Sequence, residues 1–236
     1  MANDFFKFKE FTIFQSHCAM KICTDSCLFG ALLPEGFIKE DRALDIGSGT
    51  GLLSLMFAQK NTECNIDAVE LDEDAFIQSK SNFLNSNWNE NIHPLHKSVL
   101  DFKPIIKYDI IFCNPPFFTN DLKSSNENRN VAKHSTALTF NELLFKVSEL
   151  LHENGSFYVL IPFVSEKEFV DIAEIYHLKS SKIIRVKQTL NHNYFRSVIC
   201  FSRAPLTLEL KEICIKNDNE YSNEFKELLK DYYLYL

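Results

Sequence analysis

The chain has 236 residues, 45% of them hydrophobic, with 22 phenylalanines and a formal net charge of −7. This length suits one α/β domain with a sizeable core, and the acidic balance argues against a large nonspecific grip on phosphate backbones while allowing a local basic face. No run approaches the ~18 apolar residues of a membrane helix, and no basic segment runs into an apolar one near Met1 to mark a secretory signal. Seven cysteines, at 18, 23, 27, 64, 113, 200 and 214, form an odd set lying mostly in apolar stretches. Cys23 and Cys27 have a spacing that suits a metal, but no second pair completes a site. Free, reduced thiols in a cytoplasmic protein are the expectation.

In chain order, residues 1–40 mix Phe with Lys and end in an amphipathic stretch at about 25–33. A short apolar strand at 43–47 then runs into a glycine turn, and 52–59 reads as a helix. A second strand is expected at 65–70 and a second helix at 73–86, where Ala75, Phe76, Ser79 and Phe83 recur at helical spacing. A weaker strand is placed at 93–98 and a buried one at 108–113. Residues 120–135 are polar and read as a loop. A helix at 140–151 is expected to stop at Glu153, Asn154 and Gly155. A strand at 156–161, a helix at 165–176 and strands at 182–186 and 198–202 follow. The last two strands are joined mainly by a polar loop, which suits an antiparallel pair at a sheet edge. The tail from 220 to 235 is expected to be helical. The alternation implies a mainly parallel sheet covered on both faces. One domain spans 1–236, with 1–40 as a covering segment and 206–236 as a C-terminal helical extension.

Three of the six glycines fall within five residues, Gly47, Gly49 and Gly51, between a strand and a helix. Backbone there can approach a ligand closely at the carboxyl end of the first strand. The spacing differs from the nicotinamide pattern, since Leu52 stands where a third glycine would fall, and no Gly-Lys-Ser/Thr follows. Asp45, just before the turn, would repel a pyrophosphate and suits a ligand carrying an ammonium group. Glu70 ends the second strand and can accept both hydroxyls of a ribose. Together these outline a nucleoside pocket; the plainer alternative is that the two acids cap helices and solvate strand ends.

Asn114, Pro115, Pro116 and Phe117 follow the buried strand 108–113. Two prolines fix the backbone and remove two donors, leaving acceptors free. The Asn114 side-chain oxygen and the Pro115 carbonyl can both point into one pocket. A ring amino group is a poor nucleophile because its lone pair is delocalised. Two acceptors holding its hydrogens favour a pyramidal nitrogen, so positioning and electrostatics replace a general base. Phe117 can stack on the base, a contact worth roughly 1–3 kcal/mol. The target must be unpaired or flipped out. The alternative is an ordinary proline turn with Phe117 in the core.

Taken together, Asp45 to Gly51, Glu70 and Asn114 to Phe117 resemble the motifs of class I amino-methyltransferases. The closer resemblance is to the bacterial tRNA1(Val) adenine-N6 methyltransferases. It extends over nearly the whole chain and includes Phe11, residues 18–25, 44–53 and 67–72, and Tyr221, Phe225, Leu228 and Tyr233 near the C-terminus. The resemblance implies a Rossmann-like fold with a seven-stranded sheet whose last strand is antiparallel. It implies S-adenosylmethionine as cofactor, with Lys21, Thr24 and Asp25 by its methionine end and Asp101 near its adenine. It implies methylation of the adenosine 3′ of the anticodon in a tRNA, by a cytoplasmic enzyme acting as a monomer. Many relatives carry Tyr where this chain has Phe117, which keeps the stacking face and loses a hydroxyl.

Basic residues are scattered. Lys179, Lys182, Arg185 and Lys187 surround a late strand, Lys7, Lys9 and Lys21 lie near the start, and Lys123, Arg129 and Lys133 follow the proline turn. Lys133 and His134 are candidate substrate contacts, with solvated surface groups as the alternative. The seven histidines show no paired ligand spacing, so no metal is expected. Competing functions are methylation of a glutamine side-chain amide, of adenine in DNA or ribosomal RNA, nicotinamide-dependent redox chemistry, and noncatalytic nucleoside binding. The short stretch before the first strand argues against the first, and the glycine spacing against the redox enzyme.

Overall fold

The computed structural model describes residues 4–16, 18, 21–115, 138–204 and 207–236. Its elements in chain order are β1 (Phe5–Lys7), β2 (Thr12–Phe14), α1 (Thr24–Leu32), β3 (Arg42–Ile46), α2 (Leu52–Lys60), β4 (Asn65–Glu70), α3 (Glu73–Leu84), β5 (Ile92–His96) and β6 (Tyr108–Cys113). Then follow α4 (Phe140–Leu150), β7 (Leu151–Pro162), α5 (Glu166–Ile175), β8 (Lys179–Thr189), β9 (Tyr194–Ser202), β10 (Glu209–Asn217), β11 (Glu220–Tyr221) and α6 (Asn223–Leu229). Short 3-10 turns occupy Val99–Asp101 and Phe163–Ser165.

Among the described residues the main sheet has nine strands, in the order β11-β10-β8-β9-β7-β6-β3-β4-β5. The expected seven are the run from β8 to β5. Within it β9 is antiparallel to both β7 and β8, and the other pairings are parallel. The antiparallel pair is therefore present; β9 sits inside the sheet because it lies between β7 and β8, and two further strands extend the edge beyond β8. β10 pairs parallel to β8, from Glu209 opposite Lys182 to Lys216 opposite Thr189, and β11 folds back on β10.

These two strands fall in the region expected to be helical. Of β10, only Ile213 and Ile215 are buried on one face, and its first four residues are exposed. An outer strand needs no continuous apolar run, so charge dominates its sequence. The terminal helix is correspondingly short, seven residues rather than the expected span of 220–235.

Alternation along each strand sends successive side chains to opposite faces. Ala43, Ile110, Phe112, Leu160, Val198 and Ile213 join the core under α1, α2 and α6. Leu44, Ile46, Ile111, Val159, Ile199 and Phe201 join the core under α4 and α5. Every residue of α2 from Leu52 to Ala58 is buried, so that helix is packed on all sides. The same period of two places Asp45 and Asn114 toward the first of these cores.

α4 ends at Leu150, within one residue of the expected 140–151, but Glu153, Asn154 and Gly155 lie in β7, which begins at once, with a register shift opposite Tyr108 and Ile110. A Cβ on Gly155 would lie 2.9 Å from the Tyr108 carbonyl, so glycine there admits the close approach of two backbones. The N-terminal β1–β2 hairpin lies outside the main sheet. Phe8 stacks on Phe11, which meets Trp88 edge-on. The Phe8 ring also faces Tyr233, so the two chain ends pack together.

Candidate active site

The glycine turn joins β3 to α2 and is pinned from beneath by β4. Gly47 and Ser48 donate their backbone N–H groups to the Val69 carbonyl at 2.8 and 3.1 Å, and Gly51 donates to the Ser48 carbonyl at 2.7 Å. All three glycines hold positive φ, 71°, 55° and 82°. They serve two different ends. A Cβ on Gly47 would meet nothing within 4 Å, and one on Gly49 only the Gly47 carbonyl at 4.0 Å, so the space above both is open. A Cβ on Gly51 would fall 2.4 Å from the Phe83 ring, so that glycine serves packing of α2 against α3.

Glu70 is bound into the same loop. Its Oε2 accepts from the Gly49 N–H at 2.8 Å, and its Oε1 accepts from Leu71 and Asp72 at 2.8 and 2.9 Å. A carboxylate offers about four lone-pair positions. One remains for a ligand hydroxyl after Glu70 has fixed the shape of the turn.

A cleft of about 260 Å³ opens over this rim. Of the sequence-predicted residues, Lys21, Gly47, Gly49, Glu70 and Asn114 line it. Asp45 lies behind the glycine turn, fully buried, with Oδ2 accepting from Ser54 Oγ at 2.7 Å. Burial, reinforced by the nearby Glu70 charge and opposed by the Ser54 hydrogen bond, pushes its carboxyl up to about 7. Thr24, Asp25, Gly51 and Asp101 do not line the cleft. Asp25, the second residue of α1, accepts from Arg196 Nε of β9 at 2.7 Å, so it ties the segment beside the cleft to the sheet rim. Asp101 closes a 3-10 turn on the surface, whose cap is Ser98. Pro115 is described and buried, while Pro116, Phe117, Lys123, Arg129, Lys133 and His134 lie outside the described residues.

Several lining groups carry no sequence signal of their own. Ser26, Ser48, Asp72 and Ala75 reach the cleft because α1, the turn and α3 converge there. Cys18 lines it too, and burial pushes its thiol up to about 11. At neutral pH it is protonated and a weak nucleophile beside an alkylating ligand. Asn82 of α3, 1% exposed, accepts from the Phe14 N–H at 3.0 Å and donates to the Phe14 and Thr50 carbonyls at 2.9 Å each. One amide thus clamps the hairpin to the glycine turn. Gln15 Oε1 accepts from the Ile22 N–H at 2.9 Å and holds the next stretch of chain over the cleft.

The polar atoms left over identify what the cleft is built to hold. Among the described residues five side-chain polar atoms are buried without a hydrogen-bond partner, and three of them, Asp45 Oδ1, Ser48 Oγ and Asn114 Oδ1, lie in or behind the wall of the cleft, while Arg42 Nε and Gln59 Oε1 belong to residues outside its lining. Ser48 and Asn114 line the cleft at the carboxyl ends of β3 and β6, and Asp45 stands behind the glycine turn. Buried polar atoms in native proteins are almost always satisfied, so such a cluster awaits a polar ligand. With Glu70 on the rim, the set offers a carboxyl group, a hydroxyl, a carboxylate with one free lone-pair position and an amide oxygen. It fits a methionine-bearing nucleoside. No group of three or more His, Cys, Asp or Glu able to hold a metal occurs among the described residues.

Comparison with known proteins shows the family. The methyltransferase small domain family matches residues 16–168. The tRNA1(Val) (adenine(37)-N6)-methyltransferase of Christiangramia forsetii is 41% identical over the full length of both chains. The chain belongs to that family. The protein of the same name from Flavobacterium psychrophilum is 40% identical, over 97% of this chain and 99% of its own. In fold, a crystal structure of a predicted O-methyltransferase from Agrobacterium tumefaciens superimposes with a TM-score of 0.67. It covers 87% of this chain and 95% of its own at 13% identity. As a class I member of its family the chain is a methyltransferase whose methyl donor is S-adenosylmethionine. No helix among the described residues is long and apolar enough to cross a membrane.

Proposed function

We propose that the chain methylates N6 of an adenosine in tRNA, the substrate its relatives are named for being adenosine 37 of tRNA1(Val). The observation that carries this reading is the buried, unpartnered Asn114 Oδ1 on the wall of the cleft. Bound in the cleft, S-adenosylmethionine supplies an electrophilic methyl group on a sulfonium sulfur. Asn114 Oδ1 accepts a hydrogen bond from one N–H of the target amino group, and the Pro115 carbonyl accepts one from the other. Both acceptors turn the nitrogen lone pair away from the ring and toward the methyl group. Phe117, next but one in the motif, stacks on the adenine. Lys133 and His134 contact the polynucleotide beyond it.

Glu70 takes a ribose hydroxyl, Gly47 and Gly49 admit the donor's backbone-hugging portion, and Asp45 and Lys21 stand at its amino-acid end. Thr24 and Asp25 act through α1, which they start. Asp101 is assigned to the adenine end of the donor. Residues 1–236 work as one unit, as a monomer in the cytoplasm. The test is transfer of labelled methyl to tRNA lacking its native modifications, followed by nucleoside analysis. Label in N6-methyladenosine, lost in Asn114→Ala, is the expected result. Label in protein glutamine or in DNA instead would overturn the tRNA assignment while leaving a methyltransferase.

A further inference from the structure

The same rim of the sheet carries a second group of side chains away from the donor cleft. β9 runs antiparallel, so its first residues stand at the carboxyl ends of its neighbours, with Arg196 opposite Pro162 of β7 and Tyr194 opposite Lys187 of β8. Tyr194 meets Phe163 with ring centroids 5.1 Å apart and the planes tilted by 50°. The Arg185 guanidinium lies 5.6 Å from the Phe163 centroid and 5.9 Å from that of Tyr194, and Lys187 Nζ lies 4.4 Å from the Tyr194 centroid.

This arrangement is held in advance. Glu166, 8% exposed, accepts from Arg185 Nε at 3.1 Å and from Nη2 at 2.7 Å, and also from Ser197 Oγ at 2.5 Å. The fork fixes the guanidinium plane, leaving Nη1 outside the pair. Tyr194 Oη donates to Glu212, which also faces Lys187 at 3.6 Å. Beside the rings Val164 is 81% exposed, so an apolar and aromatic patch stands open on the functional rim. From Asn114 at the end of β6 the patch spans the next one to three strands, about 5–15 Å away at ordinary strand spacing.

We propose that Phe163, Tyr194 and Arg185 form a stacking platform for an unpaired nucleotide flanking the methylated adenosine. The inference rests on the tRNA reading above and specifies how that substrate is held. Aromatic rings and a flat guanidinium are the surfaces on which unpaired bases stack. Each cation of the platform already faces an acid, Arg185 with Glu166 and Lys187 with Glu212, so the patch gains little from phosphate attraction. Its grip is on bases, which suits an enzyme of net charge −7.

The test compares Phe163→Ala, Tyr194→Ala, Tyr194→Phe and Tyr194→Trp in methylation of an unmodified tRNA1(Val) transcript. Both Ala variants are expected to raise KM for the transcript by about tenfold or more, the loss of one stacked base. KM for S-adenosylmethionine stays unchanged, and Tyr194→Phe restores the transcript KM. In Tyr194→Trp the added indole fluorescence, measured against the wild type with its single Trp88, is quenched by the transcript. Wild-type transcript KM in both Ala variants overturns the platform. So does an unquenched Tyr194→Trp that still methylates the transcript. If an Ala variant also loses donor binding, the quenching result decides alone. Should the wild type methylate no tRNA, the parent reading falls instead, and quenching by a single-stranded oligouridine decides the platform separately.

Discussion

At the scale of single residues, the proposed site rests on a few buried polar atoms without a hydrogen-bond partner in the protein. Asn114 Oδ1 is the clearest, and its truncation removes an acceptor that matters most as charge develops on the nitrogen. Asn114→Ala is expected to lower kcat by about 10²–10³-fold, the size seen when one preorganised hydrogen-bonding group is lost, with donor affinity, measured by calorimetry, changed far less. Asp45 makes a different prediction. Its carboxyl sits at about 7 against an ordinary 3.8, mainly because it is buried. The native state therefore holds this proton more tightly than the unfolded chain does. Its stabilising contribution is full below about 4 and is withdrawn as pH rises toward about 7. Asp45→Asn keeps the shape and cannot ionise, so its stability relative to the wild type should rise across that window. Chemical denaturation without the donor at either end of the window checks this, and parallel pH profiles would refute it.

At the scale of elements, the loops at the strand ends are shaped by helices that contribute no chemistry. Asn82 belongs to α3, yet its amide binds the hairpin strand β2 and the glycine turn together. Asn82→Ala leaves the Phe14 and Thr50 backbone groups without that partner. It is expected to cost about 2–3 kcal/mol of stability and to weaken donor binding, since the clamp and the cleft share the turn. Thermal unfolding with and without S-adenosylmethionine separates the two effects. The strand-ending positions of Asp45, Glu70 and Asn114 were legible in the sequence because each follows a short apolar run and precedes a turn. Arg196 and Asn82 were not, since a lone Arg in a strand or Asn in a helix looks the same whether it bonds to solvent or to a distant loop. Asp25 illustrates the converse. The resemblance implied a place for it by the donor's methionine end, but its partner, 171 residues away, had no sequence signal.

At the scale of the whole molecule, acidity and substrate have to be reconciled. With net charge −7, and with Lys182, Arg185, Lys187 and Arg196 each facing a carboxylate, the described surface offers few unopposed cations along the late strands. Binding of tRNA should then depend only shallowly on salt. The slope of log KM for the transcript against log salt is expected to stay below about 3, corresponding to about four phosphate contacts on a single strand. A steep slope would show that an extended electrostatic grip exists elsewhere on the chain.

The alternation of apolar strands and helices, the glycine turn and the Asn114–Pro115 turn were fixed by the sequence alone, because local periodicity and backbone chemistry reach only a few residues. Those features carry the fold class and the proposed donor and target ends of the site. Tertiary structure decided that β9 lies inside the sheet and that the charged segment at 209–217 extends it as a strand. An edge strand needs burial on one face only, so its sequence carries no apolar run to announce it. Tertiary structure also decided which acid faces which cation. Such pairings are set by the meeting of distant elements, for which spacing along the chain holds no signal.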